Sequence, residues 1–406
     1  MIRRVTCAPI VLGLVWTALV GGPAQATSIF QALRGINLAA FVSVSARQPG
    51  TMLFYVNNGP MCTAAFADQL ASSGLEFVRL VISPLPLMQA DKTARSQAID
   101  ALTECGDRLV SSGLAVIYDM HFWSPNNDER QREALTKQPQ SELFHSGLVA
   151  LAQELVKRPQ DTVALELLNE PPRCEAPSDV DWRPIQLRFV TDIRRVAAEL
   201  PLVLTGCGGP LEPVFTPNNE PDFSDPKLIY TVHFYEPFIY THQFTWSGGV
   251  ISDLVYPPDV ANAEAVIREH LSRLEAAPLP EVKKTIIAGD LRKYLRADYG
   301  AANIASRFRV IDNWAKQHNI PAERIFLGEF GASIGFPFSK ATDEIRASEL
   351  RWIKDVRQTS EMFRYKYAYW MFPRSNMYAF DTATRFLKPE FLTALGLRPP
   401  RGAVRP

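Results

Sequence analysis

The sequence predicts an α/β chain folded as a (β/α)8 TIM barrel. The first observation is that short apolar runs alternate with amphipathic helical segments along most of the 406 residues. Such alternation argues for parallel strands joined by right-handed crossovers. The second is that these runs number eight, which suits a closed barrel once insertions are allowed. The third is that polar side chains cluster where the runs end, as they do on the face of a barrel that carries its chemistry. A doubly wound open sheet is the alternative reading of the same alternation.

Taken in order, residues 1–26 read as an export signal. Arg3 and Arg4 precede an apolar run from Val5 to Val20, and Ala24-Gln25-Ala26 has the small-x-small form of a cleavage site. Gly21, Gly22 and Pro23 end that run too soon for a membrane span, which needs about 20 apolar residues. The expected product is one catalytic domain over residues 27–406, secreted or periplasmic, with no membrane attachment after cleavage.

The strand candidates are Gly35–Ala39, Phe77–Ile82, Ala115–Asp119, Val163–Leu168, Leu202–Thr205, Ile229–Phe234, Ile325–Gly328 and Lys366–Trp370. Helical stripes lie between them: Leu148, Leu151 and Leu155 mark one, and Ile185, Phe189, Ile193 and Val196 another. The regular spacing breaks between the sixth and seventh strands. Tyr235 to Glu323 is far longer than a βα unit needs and holds an aromatic stretch (Tyr240, Phe244, Trp246, Tyr256, Pro257) before a helical segment at Ala261–Leu274. A connection of that length carries function or its own structure.

Composition narrows the partners. Lys and Arg total 43, as do Asp and Glu, and loss of the signal removes two arginines and no acid. A near-neutral chain gives no electrostatic reason to expect nucleic acid or an anionic membrane. With 47% hydrophobic residues the chain can bury a large core. Cys7 would leave with the signal. Cys62, Cys105, Cys174 and Cys207 would remain, an even number that favours disulfides in an exported protein. Neighbouring elements would pair Cys62 with Cys105 and Cys174 with Cys207. Four buried free thiols are the alternative.

Polar groups fall at or near the ends of six strands. Arg79 sits inside Phe77–Val81, His121 follows Val116–Met120, and Asn169-Glu170 follows Val163–Leu168. His233 and Tyr235 follow Ile229–Val232, Glu329 follows Ile325–Gly328, and Trp370 follows Ala368-Tyr369. Each has a bland explanation as a strand terminator, a satisfied structural histidine or a core aromatic. Their joint placement at C-terminal strand ends favours a common cleft.

At these residues the chain resembles glycoside hydrolase family 5, the cellulase family. The most specific motifs are Leu168-Asn169-Glu170-Pro171 and Gly328-Glu329-Phe330-Gly331, with Val232-His233-Phe234-Tyr235-Glu236-Pro237 between them and Tyr369-Trp370 after them. Similarity runs from Arg34-Gly35-Ile36-Asn37 to about Asp381. It implies a retaining mechanism, with Glu170 as general acid/base and Glu329 as nucleophile. The supporting set would be Arg79, His121, Asn169, His233, Tyr235 and Trp370. Arg79 and Tyr235 would hydrogen-bond Glu329, and His233 would lie by Glu170. Asn169 would reach the sugar 2-hydroxyl, His121 a nearby hydroxyl, and Trp370 would offer a flat face to a pyranose. Trp123 and Trp246 are candidates for further sugar subsites, with Trp182 and Tyr378 weaker. Asp119 carries no family role, and Glu166 reads as an interior barrel residue.

The resemblance implies no cofactor and no metal. A metal-dependent barrel hydrolase using Asp119, His121, His233 and a Glu is a competing reading, although the first strand lacks the His-x-His of that class. A carbohydrate-binding pseudo-hydrolase is another, although both carboxylates are present. Within the family, the stretch from His233 to Trp246 looks like bacterial cellulase-type members. The expected activity is therefore an endo-β-1,4-glucanase acting on a β-glycan polysaccharide, with β-mannanase or β-1,3-glucanase as alternatives. The expected state is a monomer.

Overall fold

In the computed structural model, the described residues are 26–40, 42–44, 52–56, 59–60, 63–122, 127–172, 180–207, 221–332, 334, 342–372, 379–381 and 386–401. Eight parallel strands close a barrel: β1 Arg34–Ala40, β2 Phe77–Ile82, β3 Ala115–Met120, β4 Val163–Glu166, β5 Leu202–Thr205, β6 Leu228–Phe234, β7 Ile325–Phe330 and β8 Lys366–Phe372. Each strand pairs with the next in sequence, and β1 closes the ring against β8. All eight expected strands are present, and the open-sheet alternative is excluded.

The interior is a packed column. Phe77 and Phe326 meet edge-on across it, with ring centroids 5.6 Å apart. Gly35 makes room for them, because a Cβ there would lie 2.2 Å from the Phe77 ring. Ile117, Ala164, Val203, Ile229 and Ala368 pack in the same interior cluster, and Ile29 joins it ahead of β1. The Ile29 N–H donates to the Asp161 carbonyl at 2.7 Å and ties that segment down. Alternate residues point outward to the helices, where Leu148, Leu151 and Leu155 of the helix Gln140–Leu155 are buried as expected. On the helix Trp182–Val196, Phe189 and Ile193 are buried and Val196 is 38% exposed. The stripe therefore stops one turn early, because Val196 is the last helical residue.

Two strands differ from expectation in a way that matters for the site. β4 ends at Glu166 rather than Leu168; the Asn169 N–H still donates to the Met120 carbonyl of β3 at 2.8 Å, and the chain bends away at Asn169 and Glu170. β7 runs on to Phe330 but breaks register between Leu327 and Glu329 against β6 and between Leu327 and Phe330 against β8. Such a bulge re-aims a side chain. Here it falls at Gly328 and turns Glu329 into the barrel mouth.

The connection between β6 and β7 holds the helices Phe238–Thr241, Gln243–Trp246, Ala263–Ala276, Glu281–Arg296 and Ala301–Gln317. The third lies two residues beyond the expected Ala261–Leu274. Tyr240 and Tyr256 are fully buried. The Tyr240 hydroxyl and Ser348 Oγ lie 2.7 Å apart, and the Tyr256 N–H donates to the same Oγ at 2.6 Å. These aromatics thus dock the insertion on the helix Asp343–Phe363. No helix among the described residues is long and apolar enough to cross a membrane. The expected export signal, residues 1–26, lies outside the described residues except for Ala26. Each expected cysteine pair includes a residue, Cys62 or Cys174, outside them.

Candidate active site

Arg79 organises the floor of the barrel mouth. It is fully buried on β2, and all five of its N–H donors are engaged. Nε and Nη2 grip Glu166 with two bonds of 2.7 Å. Nη1 donates to Asn37 Oδ1 and Glu329 Oε1, both at 2.9 Å. The second Nη2 proton goes to Asn169 Oδ1 at 2.8 Å. Burial works to lower the Arg79 pKa, but Asp119, Glu166 and Glu329 outweigh it and push it well above its ordinary value. Glu166 is raised, since burial overcomes its pairing with Arg79.

Glu329 is held from two sides. Its side chain is 5% exposed; Oε1 accepts from Arg79, and Oε2 accepts from the Tyr235 hydroxyl at 2.8 Å. Burial, reinforced by Glu329, lifts the Tyr235 pKa well above its usual value, so the phenol stays a donor. Glu170 contrasts with this. Its side chain is 45% exposed, and its φ of +34° is a strained position for a side-chain-bearing residue. Glu170 Oε1 lies 2.8 Å from His233 Nδ1, which is also 3.6 Å from Glu329 Oε2. Burial raises the Glu170 carboxyl, but the hydrogen bond and charge of His233 outweigh it and hold it below its usual range. Burial likewise lowers His233, yet Glu329 and Glu170 overcome it and raise the imidazole. Both directions favour a His233 Nδ1–H that donates to the Glu170 carboxylate. Gly328 is needed beside His233, because a Cβ there would lie 2.4 Å from Thr231 Oγ1 and 3.1 Å from His233 Nε2.

The fold gathers Arg79, His121, Asn169, Glu170, His233, Tyr235, Glu329 and Trp370 at one barrel mouth. His121 Nε2 lies 3.3 Å from Asn169 Nδ2. The Trp370 ring, on a residue 7% exposed, lies nearly parallel to the His121 ring at 5.5 Å. Trp246 stands apart from the carboxylates. It is half-buried in the insertion and edge-on to Phe238 at 5.8 Å; Phe238 is 44% exposed and stacks on His242 at 4.0 Å. His242 in turn meets Tyr235 edge-on at 5.1 Å. Trp182 is fully buried and donates to the Thr205 carbonyl, so it is a core residue. Trp123 and Tyr378 lie outside the described residues.

Three site residues received no role from the family resemblance: Asn37, Asp119 and Glu166, the last expected only as an interior barrel residue. All are fully buried in the network. Asn37 Nδ2 donates to the Gly328 carbonyl at 2.8 Å, bracing the bulge while its Oδ1 receives Arg79. Asp119 Oδ2 lies 3.1 Å from both Arg79 Nη2 and His121 Nδ1. The available signal was parity: each is a polar residue in an apolar strand, and period two puts Asp119 on the same face as His121.

Among the described residues, Glu170, His233 and Glu329 are the set that could hold a metal, with one ligand atom from each all within 4.8 Å of one another. The metal-hydrolase set expected as an alternative is divided, because Asp119 and His121 contact each other and the Arg79–Asn169 side of the network.

A sequence profile described as Cellulase (glycosyl hydrolase family 5) matches residues 39–373. Endoglucanase C of Acetivibrio thermocellus is 25% identical over 215 residues, covering 50% of this chain and 60% of that protein, less than two thirds of its length. Cellodextrinase A of Ruminococcus flavefaciens is 22% identical over 336 residues, covering 79% of this chain and 93% of that one. A solved hyperthermophilic endo-beta-1,4-glucanase in complex with substrate superposes with a TM-score of 0.62 at 21% identity, over 91% of this chain and 99% of that one. At that identity the likeness shows the fold. The profile match runs through every strand end from Arg79 to Trp370, and the chain belongs to glycoside hydrolase family 5.

Proposed function

We propose that this chain is a retaining endo-β-1,4-glucanase, with Glu329 as nucleophile and Glu170 as general acid/base. The observation that carries this reading is the closeness of the two carboxyl groups, an oxygen of each lying within 4.8 Å of the other. Retention needs carboxyl groups about 5–5.5 Å apart, whereas inversion needs about 6.5–9.5 Å to admit a water between.

In the first step a Glu329 oxygen attacks the anomeric carbon. The glycosidic C–O bond breaks, and the leaving oxygen takes the proton held by Glu170 and His233. In the second, Glu170 removes a proton from water, whose oxygen attacks the same carbon and releases Glu329. Arg79 and Tyr235 suit the first role of Glu329, since one donor on each oxygen matches a carboxylate. His233 supplies the proton reservoir for Glu170. The names of the relatives support a β-1,4-glucan as substrate, and the aromatic group Phe238, His242 and Trp246 beside Tyr235 supports a cleft extending beyond one sugar. The chain is read as an exported, monomeric, single-domain enzyme that uses no metal.

The test is a screen of the purified chain and its Glu170→Ala and Glu329→Ala variants. Substrates are carboxymethyl-cellulose, β-1,3-glucan, galactomannan and xyloglucan, followed by reducing ends and product lengths. Activity on carboxymethyl-cellulose with mixed short products, lost in both variants, is the expected result. A preference for galactomannan or β-1,3-glucan would overturn the substrate. A folded chain idle on every polymer would favour a carbohydrate-binding protein.

A further inference from the structure

Asp119 is fully buried on β3, two residues before His121. The direction of its contacts follows from a proton count. A guanidinium has five N–H groups, and those of Arg79 go to Glu166 twice and to Asn37, Glu329 and Asn169 once each. None is left for Asp119, so the 3.1 Å contact with Arg79 is charge attraction. Beside the Arg79 charge the Asp119 carboxylate can only accept, so the hydrogen bond at Oδ2 comes from His121 Nδ1–H, also at 3.1 Å. A neutral imidazole protonated on Nδ1 has a lone pair on Nε2.

The same logic orients Asn169. Its Oδ1 accepts from Arg79, so the group facing His121 Nε2 at 3.3 Å is its NH2. One amide proton goes to His121, and the other has no partner among the described residues. We infer that Asp119 is a positioning residue for catalysis: through the His121 tautomer it fixes the Asn169 amide, which presents its remaining N–H to the sugar 2-hydroxyl. This rests on the glycosidase reading above. Contacts to that hydroxyl strengthen in the transition state, so Asp119 acts on kcat without touching substrate.

Asp119→Ala removes the acceptor; Asp119→Asn would not, because its amide oxygen can take the place of Oδ2 between Arg79 and His121. Without that acceptor nothing holds the imidazole proton on Nδ1, and a proton on Nε2 faces the Asn169 NH2 donor to donor. Arg79 prevents Asn169 from flipping to relieve this. The experiment compares kcat and KM of the full chain and the variant on an aryl β-cellobioside and its 2-deoxy analogue at the cleaved sugar. The expected result is a fall in kcat of about 10–100-fold on the hydroxylated substrate, the worth of one charge-assisted hydrogen bond, and a much smaller fall on the 2-deoxy substrate. Equal losses on both substrates would reduce Asp119 to a structural role and overturn the inference. Imidazole NMR of the unsubstituted protein gives an independent readout if the variant does not fold. His121 protonated on Nδ1 alone is required, and Nε2–H or the doubly protonated ring refutes it. Because that readout needs no turnover, an inactive wild-type protein would sink the glycosidase reading while leaving the Asp119 inference to be decided.

Discussion

At the end of β7 the Glu329 side chain is 5% exposed and takes one hydrogen bond on each oxygen; at the end of β4 the Glu170 side chain is 45% exposed and contacts His233. Identical side chains thus occupy opposite environments within 4.8 Å. The difference arises from backbone as much as from neighbours. A bulge with glycine at its centre drives Glu329 down onto Arg79, whereas Glu170 leaves a shortened strand at φ +34° and stays near solvent. A nucleophile gains from rigid placement. A group that gives and then retrieves a proton gains from access to water and a partner that stores the proton. One barrel mouth can supply both because β4 and β7 end differently.

Each variant below probes one side of that contrast, beginning with the largest effect. Glu329→Gln should lower kcat on any β-glycoside by about 10,000-fold with near-normal Tm, whereas Glu170→Gln should cost about 100–10,000-fold on polymer but little on an aryl glycoside whose leaving group needs no proton. If both variants lost activity equally on both substrates, the division of roles would fail. Tyr235→Phe removes one of the two donors to Glu329 and should lower kcat by about 10–100-fold; a change under about twofold would show that Arg79 alone suffices.

The Glu170–His233 pair has a pH signature. His233 is raised, so its stabilisation is present below its unfolded value of about 6.5 and is lost as pH rises through the folded value. Glu170 is lowered, so its stabilisation is present above its unfolded value of about 4.3 and is lost as pH falls through the folded value. His233→Asn should therefore lower Tm most between about pH 4.3 and 6.5. It should also move the alkaline limb of kcat/KM to lower pH. A pH-independent loss of Tm would mean the two do not share a proton. The smallest effect is expected from Gly328→Ala, whose Cβ crowds Thr231 and His233. Overpacking of this kind costs about 1–3 kcal/mol, measurable by denaturant unfolding together with a modest loss of kcat.

The eight strands were legible because an apolar run must bury both faces in a parallel barrel and because turns bound each run. The insertion was legible as an interruption, but the buried roles of Tyr240 and Tyr256 were not, since a docked aromatic and an exposed one look alike in sequence. Glu166 and Asp119 were hidden for a related reason. Their role depends on converging with Arg79 from neighbouring strands, and separation along the chain hides that convergence.

By itself the sequence determined the strand order, the parity that turns Arg79, Asp119, His121 and Glu166 inward, and the motifs carrying the two carboxylates. Local periodicity and residue chemistry are enough for that. The tertiary structure decided which acid would be gripped and which left near water, because that depends on a register break at Gly328, on Asn37 bracing its carbonyl from β1, and on five guanidinium protons shared among strands far apart in sequence.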